Sequence, residues 1–367
     1  MYFLPKKKLC CFYVCVCIFV GHSCLNLVKL IVSSTGITNS GIFSLCQACR
    51  TDEGCKKLVV LDITNTMVDS FGALHCIQNL TELQRLNFNN ICQVIERDIA
   101  EKLDKENPQP YKLRQLQADF QHSASPHSIK VACQWCPNLT EGSFYTGINS
   151  TNIAVLKGLK NLRELTLGSD GSATLNFQND ILPLLKVIGE QLIKFECLDV
   201  GGVDIILIGK HCPRLQSLFV ILNSDSGEAS GEDISLGATS VKAKLFSSLT
   251  EFNVTYPFEI THYQLNSVIC LLKSATSLKT FICRYMHCLT DELLLDVYAV
   301  NLLSSIERVQ FEHCNNIQPA VIWPLVEGAN NLRSLHILDC WNITRADFDH
   351  IESVVRNNNF DLEVLWK

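Results

Sequence analysis

Residues 332–337 read L-R-S-L-H-I, and this short stretch decides the fold. The same spacing, L-x-x-L-x-L, returns at 162–167 (L-R-E-L-T-L) and at 215–220 (L-Q-S-L-F-V). Weaker copies keep the spacing with other apolar residues, at 249–254, 278–283 and 306–311. A segment that recurs along a chain predicts a repeat architecture, because each unit buries its apolar side chains only by stacking on its neighbours.

The first apolar residue of each copy marks about thirteen units. These markers are residues 27, 58, 83, 113, 139, 162, 192, 215, 249, 278, 306, 332 and 362, at a mean interval of about 28 residues. The interval leaves room for a strand, whose alternate side chains point inward, and for a helix of about three turns. The fold class is therefore α/β. The pattern predicts a leucine-rich-repeat solenoid, a horseshoe with parallel strands on its concave face and helices on its convex face. The copies at 113 and 139 are weak, since Ala118 and Gly142 occupy apolar positions.

The domain organisation follows from where the repeats begin. We expect one solenoid over residues 25–367, preceded by an apolar N-terminal segment over 1–24. The longest unit contains 224–237, a Ser/Gly-rich and acidic stretch with little to bury, which we expect to be an exposed insertion.

The N-terminal segment is open to two interpretations. Lys6, Lys7 and Lys8 precede an apolar run from Leu9 to Val20, as in a secretory signal peptide. The run is short for a membrane span. Alternatively, residues 1–24 come from a mis-joined exon. The first interpretation would make the protein secreted.

The composition indicates which cellular compartment and which classes of partner to expect. Hydrophobic residues make up 47% of the chain and charged residues 19%, which is typical of a folded protein. A net charge of −6 disfavours nucleic acid and anionic membranes as partners. Nineteen cysteines are present, most of them at repeat-phased positions, which favours reduced core thiols in a cytoplasmic protein over a disulfide framework.

No recognisable motif for catalysis occurs. The sequence contains no G-x-S-x-G, no H-E-x-x-H and no phosphate-binding glycine loop, so we assign no catalytic residue and no cofactor. Two C-x-x-C pairs, Cys46/Cys49 and Cys133/Cys136, lie in different repeats, too far apart to supply four ligands to one zinc ion. We interpret them as buried structural thiols and assign no metal site.

Three segments show a closer likeness to a known family. They are I-T-N-S-G-I at 37–42, C-P-R-L at 212–215 and C-W-N-I-T at 340–344. They resemble the cysteine-containing repeats of the F-box/leucine-rich-repeat proteins. The resemblance implies that the repeats recognise a substrate and that an F-box binds the adaptor of a cullin–RING ubiquitin ligase. Residues 1–24 are too few and too apolar for an F-box, so the adaptor would bind through a missing or divergent N-terminal domain.

The candidate binding site is the concave face of the C-terminal half. Aromatic, aliphatic and arginine side chains on an exposed sheet are typical of protein-binding hot spots. The residues expected there are Phe219, Ile221, Ile282, Arg284, Arg308, Gln310, His336 and Trp366. The insertion also contains D-S-G-E-A-S at 225–230, which makes Ser226 and Ser230 candidate phosphorylation sites.

These observations predict a non-enzymatic protein-interaction module, serving as a substrate-recognition or scaffold component of a cullin–RING (SCF-type) ubiquitin ligase. The alternative is a secreted or cell-surface leucine-rich-repeat recognition protein.

Overall fold

A computed structural model describes residues 17, 19–47, 54–103, 109–118, 124–145, 148–168, 175–223, 245–256, 262–328, 330–358 and 361–367. Most of the apolar segment 1–24, the insertion 224–237 and the candidate sites Ser226 and Ser230 lie outside these residues. The chain divides into two compact units, 1–162 and 163–367.

The first unit repeats a strand and a helix. Its strands are β1 Lys29–Ile31, β2 Val60–Asp62, β3 Arg85–Asn87, β4 Gln115–Ala118 and β5 Glu141–Phe144. Its helices are α1 Asn39–Cys46, α2 Ser70–Asn79, α3 Ile91–Leu103 and α4 Pro126–Trp135, with a 3₁₀ helix at Ile153–Gly158. Strands β1, β2 and β3 form a parallel sheet in that order, and β4 pairs in parallel with β5. The weak copies at 113 and 139 thus form strands.

Side-chain caps begin two of these helices. The Asp69 carboxylate accepts hydrogen bonds from the backbone N–H groups of Phe71 and Gly72. The Ser125 hydroxyl accepts from the N–H of Ser128, and Pro126 occupies the first turn of α4, where no N–H is needed. These caps satisfy backbone donors that the helix itself leaves unpaired.

The second unit repeats the same plan over eight parallel strands. They are β6 Glu164–Gly168, β7 Lys194–Gly201, β8 Ser217–Asn223, β9 Glu251–Thr255, β10 Thr280–Arg284, β11 Arg308–Glu312, β12 Ser334–Leu338 and β13 Glu363–Trp366. Its helices are α5 Leu182–Ile188, α6 Ile205–His211, α7 His262–Ser274, α8 Asp291–Val300, α9 Trp323–Val326 and α10 Arg345–Asn357. A π turn at Phe177–Ile181 precedes α5, and 3₁₀ turns lie at Gly189–Gln191 and Pro319–Val321.

Strands β6 to β13 lie side by side in chain order. Every connection therefore steps in the same direction, and right-handed connections place all the connecting helices on one face of the sheet. The burial pattern agrees, because β9, β10 and β12 alternate between buried and partly exposed residues. The prediction of a mixed α/β fold with parallel strands is confirmed, and its arrangement is leucine-rich-repeat-like. The horseshoe curvature stays a prediction.

The core of the second unit lies between the strands and the helices. Phe252, Phe281 and Phe311 are each at most 2% exposed. Ring centroids are 5.9 Å apart between Phe252 and Phe281, and 6.0 Å apart between Phe281 and Phe311. Contacts of this kind add to the burial of apolar area, which is the main stabilising term in a repeat protein.

Among the described residues, none of the helices combines the length and the apolar character that crossing a bilayer requires.

Candidate protein-binding surface

One side of the sheet in the second unit faces away from the helices. We call this side the outward face. Its residues are those of β6–β13 that alternate with the buried ones, and the parallel register aligns them in three rows across the strands. The first row is Glu164, Lys194, Ser217, Glu251, Thr280, Arg308, Ser334 and Glu363. The second row is Thr166, Glu196, Phe219, Asn253, Ile282, Gln310, His336 and Leu365. The third row is Ile221, Thr255, Arg284, Glu312 and Leu338.

Seven of the eight residues expected on the binding face lie on the outward face. These are Phe219, Ile221, Ile282, Arg284, Arg308, Gln310 and His336. Arg308 is exposed, whereas Gln310 is only 6% exposed and most of the others are half-buried. Whether they bind a protein stays a prediction.

The placement of Trp366 was wrong. Its register partner on β12 is the buried Ile337, so Trp366 lies on the helix side of the sheet. Its ring stacks on Phe348 with centroids 5.9 Å apart, and its indole N–H donates to the carbonyl of Ile343 at 3.2 Å. Leu365, which is 45% exposed, occupies the outward position beside His336.

The cause of this error is a shift of one residue in the last repeat. Each of the first twelve strands begins two residues after its marker, but β13 begins only one residue after Leu362. The true counterpart of Leu332 is thus Asp361. Since strand side chains alternate, a shift of one residue moves every side chain to the opposite face.

A hydrogen-bonded network crosses β9, β10 and β11 on the outward face. Arg284 Nη1 donates to Asn253 Oδ1 at 2.9 Å, and Arg284 Nε donates to Glu312 Oε2 at 2.9 Å. Gln310 Nε2 donates to the same Glu312 oxygen at 3.1 Å, and Arg308 Nη2 donates to Gln310 Oε1 at 3.2 Å. These bonds hold four long side chains in one arrangement, which lowers the entropy lost when a ligand binds.

Three apolar side chains lie on the two sides of Asn253, and we call them the apolar cluster. Phe219 and Ile221 project from β8, and Ile282 projects from β10 beyond the intervening Asn253. All three are half-buried by their neighbours. Apolar side chains held on the open side of a sheet favour contact with a partner that would remove them from water.

Charged side chains lie on β7, the strand next to Phe219 and Ile221. Lys194 Nζ lies 2.8 Å from Glu196 Oε1, whose second oxygen accepts from the Thr166 hydroxyl at 3.0 Å. The hydrogen bond and charge of Glu196 raise the pKa of Lys194, and the charges of Glu164 and Glu251 add to this rise. The charges of three carboxylates therefore act on one ammonium group.

The strand sides of the first unit are arranged differently. Arg85 on β3 reaches past Gln115 on β4 to Glu141 on β5, with Nη2 2.6 Å from Oε2. The side-chain oxygen of Gln115 is buried and has no hydrogen-bond partner in the described part of the chain. This ion pair therefore extends over three strands of the first unit.

The fifteen cysteines of the described residues are all unpaired thiols, and twelve of them are buried. Burial raises the pKa of Cys92, Cys212 and Cys340 to about 12, and it also raises the pKa of Cys133 and Cys136. Protonated, buried thiols pack as small apolar groups. Cys49 lies outside the described residues, so its pairing with Cys46 stays untested.

Within the described ranges, no group of three or more His, Cys, Asp or Glu side chains is arranged to hold a metal ion. The expectation that the protein has no metal and no catalytic residue stays a prediction.

Beyond the third row, the chain leaves β10, β11 and β12 through residues with a left-handed backbone. These are Tyr285, His313 and Asp339, with φ of 59°, 53° and 52°. Tyr285 stacks on His313 with centroids 4.6 Å apart, and His313 Nε2 lies 3.8 Å from Asp339 Oδ2. The rings therefore extend the outward face at the carboxyl end of the strands.

The sequence analysis overlooked Lys194, Glu196, Glu251 and Leu365. The signal was available, because outward residues fall two and four positions after each marker in the first twelve repeats. Lys194, Glu196 and Glu251 fit this rule but are not aromatic, aliphatic or arginine side chains, the types expected in a binding hot spot. The rule does not reach Leu365, because the last repeat is shifted by one residue.

A comparison with one solved structure supports the fold. Neither a protein-family model nor a curated protein matches the chain. A chain of the crystal structure of the Rad7 and Elc1 complex in yeast is similar over 93% of this chain and 85% of its own length, with 15% identity and a TM-score of 0.55. A leucine-rich repeat-containing protein, LegL7 from Legionella pneumophila, is similar over 86% of this chain and 95% of its own length, with 14% identity and a TM-score of 0.43.

Proposed function

We propose that this chain is a non-enzymatic protein-interaction module that holds a protein ligand on the outward face of its second unit. The observation that carries the proposal is the apolar cluster of Phe219, Ile221 and Ile282 beside the ordered network around Arg284. Binding surfaces commonly combine a few aromatic or aliphatic anchors with polar groups that are already in place.

We further propose that the module is the substrate-recognition or scaffold component of a cullin–RING (SCF-type) ubiquitin ligase. Two observations support this proposal. The repeats resemble those of F-box/leucine-rich-repeat proteins, and the fold is similar to a chain of the yeast Rad7 and Elc1 complex. Buried, unpaired thiols favour a reducing compartment, so the proposed location is the cytoplasm.

Co-purification of the tagged full chain from cells tests both levels. We expect a cullin and its adaptor to co-purify with the wild type and with Ile282→Asp, since that change lies on the proposed substrate side. Other bound proteins should be lost from Ile282→Asp but retained by Leu295→Asp, a matched change on the exposed surface of α8.

Absence of the adaptor from every preparation would contradict the ligase role. Equal loss of the other bound proteins from both variants would contradict the outward face as the binding site. A thermal unfolding curve for each variant establishes that the fold is retained.

A further inference from the structure

The outward face is uneven in charge and in polarity. Around Lys194 on β7 it carries three carboxylates, from Glu164 on β6, Glu196 on β7 and Glu251 on β9, which lies two strands from Lys194. Two negative charges are therefore left uncompensated within this group. The apolar cluster begins with Phe219 and Ile221 on β8, the strand between Lys194 and Glu251, and ends with Ile282 on β10.

The carboxylates are also positioned to receive another donor. Glu251 accepts one hydrogen bond, from the Ser217 hydroxyl at 3.1 Å, and both Glu164 and Glu251 are exposed. A carboxylate accepts several hydrogen bonds, so these oxygens keep capacity after their present contacts are made. A cationic side chain would find both charge and acceptors at this position.

The spacing between the two features limits the ligand. Phe219 is the direct register neighbour of Glu196, and Ile282 lies two strands beyond Phe219. Neighbouring strands are about 4.8 Å apart, so the distance from Glu196 to the apolar residues is roughly 5–14 Å. An extended peptide advances about 3.3 Å per residue and covers this distance in about two to four residues.

We propose that the outward face binds an extended peptide segment of a partner protein in which a lysine or arginine lies about two to four residues from a large apolar residue. The cationic side chain enters beside Lys194 between the three carboxylates, and the apolar side chain covers Phe219, Ile221 and Ile282. This inference rests on the proposed protein-binding function and names the class of its ligand.

Selection from a library of random linear peptides against the purified full chain tests the proposal. We expect the selected peptides to be enriched in a basic residue at the stated distance from an aromatic or aliphatic one. Binding of one selected peptide is then measured by fluorescence anisotropy at low and at high ionic strength. Affinity should fall at high ionic strength because salt screens exposed charges.

Charge variants of the protein sharpen the measurement. Glu196→Gln combined with Glu251→Gln should weaken peptide binding about tenfold, as should replacing the basic residue of the peptide by norleucine. The two changes together should cost little more than either alone. Lys194→Gln should strengthen binding severalfold, because it removes the cation that competes for the same carboxylates.

Matched controls separate this surface from the rest of the molecule. Glu292→Gln combined with Glu352→Gln removes two charges from α8 and α10 and should leave affinity unchanged. Ile282→Asp should abolish binding, and Ile282→Ala provides a milder variant should the aspartate disturb the fold.

Four results would overturn the proposal. Peptides that depend on Ile282 but show no basic residue, or that bind the Glu196/Glu251 variant as well as the wild type, would refute the ligand class and leave the protein-binding function standing. Weaker binding by Lys194→Gln would also refute the ligand class. A library that contains no Ile282-dependent binder would refute the protein-binding function itself.

Discussion

In the second unit, the helix side and the outward side of the same strands differ in burial, in polarity and in hydrogen bonding. On the helix side, Phe252, Phe281 and Cys283 are buried and apolar. On the outward side, their neighbours Asn253 and Ile282 are half-exposed, and the polar residues are joined by hydrogen bonds. The two sides share one backbone and one register.

The two sides are therefore subject to separate physical constraints. Apolar spacing on the helix side stabilises the stack of repeats and tolerates only residues of similar volume. Most outward residues are less buried, and we propose that they are used for recognition. Changes on the two sides should therefore produce separate effects on stability and on binding.

The largest expected effect is on the helix side. Phe281→Ala should lower the free energy of unfolding by about 3–5 kcal/mol, because it leaves a cavity between Phe252 and Phe311. Urea unfolding monitored by circular dichroism measures the loss. The adjacent Ile282→Ala should change stability by less than about 1 kcal/mol, since its side chain faces outward. Equal losses of unfolding free energy at the two positions would show that outward side chains stabilise the fold as strongly as inward ones.

The next effect tests the register of the last strand. Trp366→Ala should cost about 2 kcal/mol, because the indole packs on Phe348 and bonds to the carbonyl of Ile343. Leu365→Ala should stay within about 0.5 kcal/mol. Hydrogen exchange of α10 reports the change locally. A larger loss for Leu365 than for Trp366 would show that β13 is placed one residue out of register.

A smaller effect on stability is expected at the N-terminal cap of α10. Thr344 and Asp347 form a capping box at the start of α10. Thr344→Ala should lower the free energy of unfolding by about 1 kcal/mol, measured by urea unfolding, because the backbone N–H of Asp347 loses its acceptor. Arg345→Ala changes the first position of the same helix and removes none of the capping bonds. It removes an exposed ion pair to Asp349, so it should lower the free energy of unfolding by less than Thr344→Ala.

The same cap predicts a dependence on pH. The Thr344 hydroxyl and backbone N–H donate to Asp347 and hold the pKa of its carboxyl below the usual value. The stabilisation is therefore present above the unfolded pKa, about 4, and is lost as pH falls through the lower folded pKa. Thr344→Ala should flatten this acid dependence. An unchanged profile in the variant would contradict the cap.

The smallest effect on stability is expected within the outward network. A double-mutant cycle on Arg284→Ala and Glu312→Ala should give a coupling energy of about 0.5–1 kcal/mol, because the ion pair is only partly buried. Peptide binding should suffer more than stability, since the network positions the surface for a ligand. A coupling energy comparable to the loss at Phe281 would mean that the outward side stabilises the fold as strongly as the helix side.

Much of the fold could be predicted from the sequence because the inward residues repeat locally. The spacing located strands even where Gly142 and Ala118 weaken the signal, since the neighbouring units define where a strand must lie. The error at Trp366 arose in a terminal repeat, where both Leu362 and Asp361 could serve as the marker and only pairing with β12 decides between them.

The contacts on the outward face were harder to predict. Arg284 bonds to Asn253 and Glu312, which are 31 and 28 residues away in the chain. The number of residues between repeats varies. A shift of one residue in the register between two strands therefore changes which charged side chains are neighbours. Gln310 was expected to be accessible, yet the side chains around it leave only 6% of it exposed.

By itself, the sequence determined the alternation of strand and helix and the identity of most inward residues. These depend on local spacing, because side chains alternate along a strand and an apolar side must be buried. Only the tertiary structure decided the side on which Trp366 lies, the network around Arg284 and the grouping of three carboxylates about Lys194. Those features depend on the register between strands, which hydrogen bonds set across distant parts of the chain.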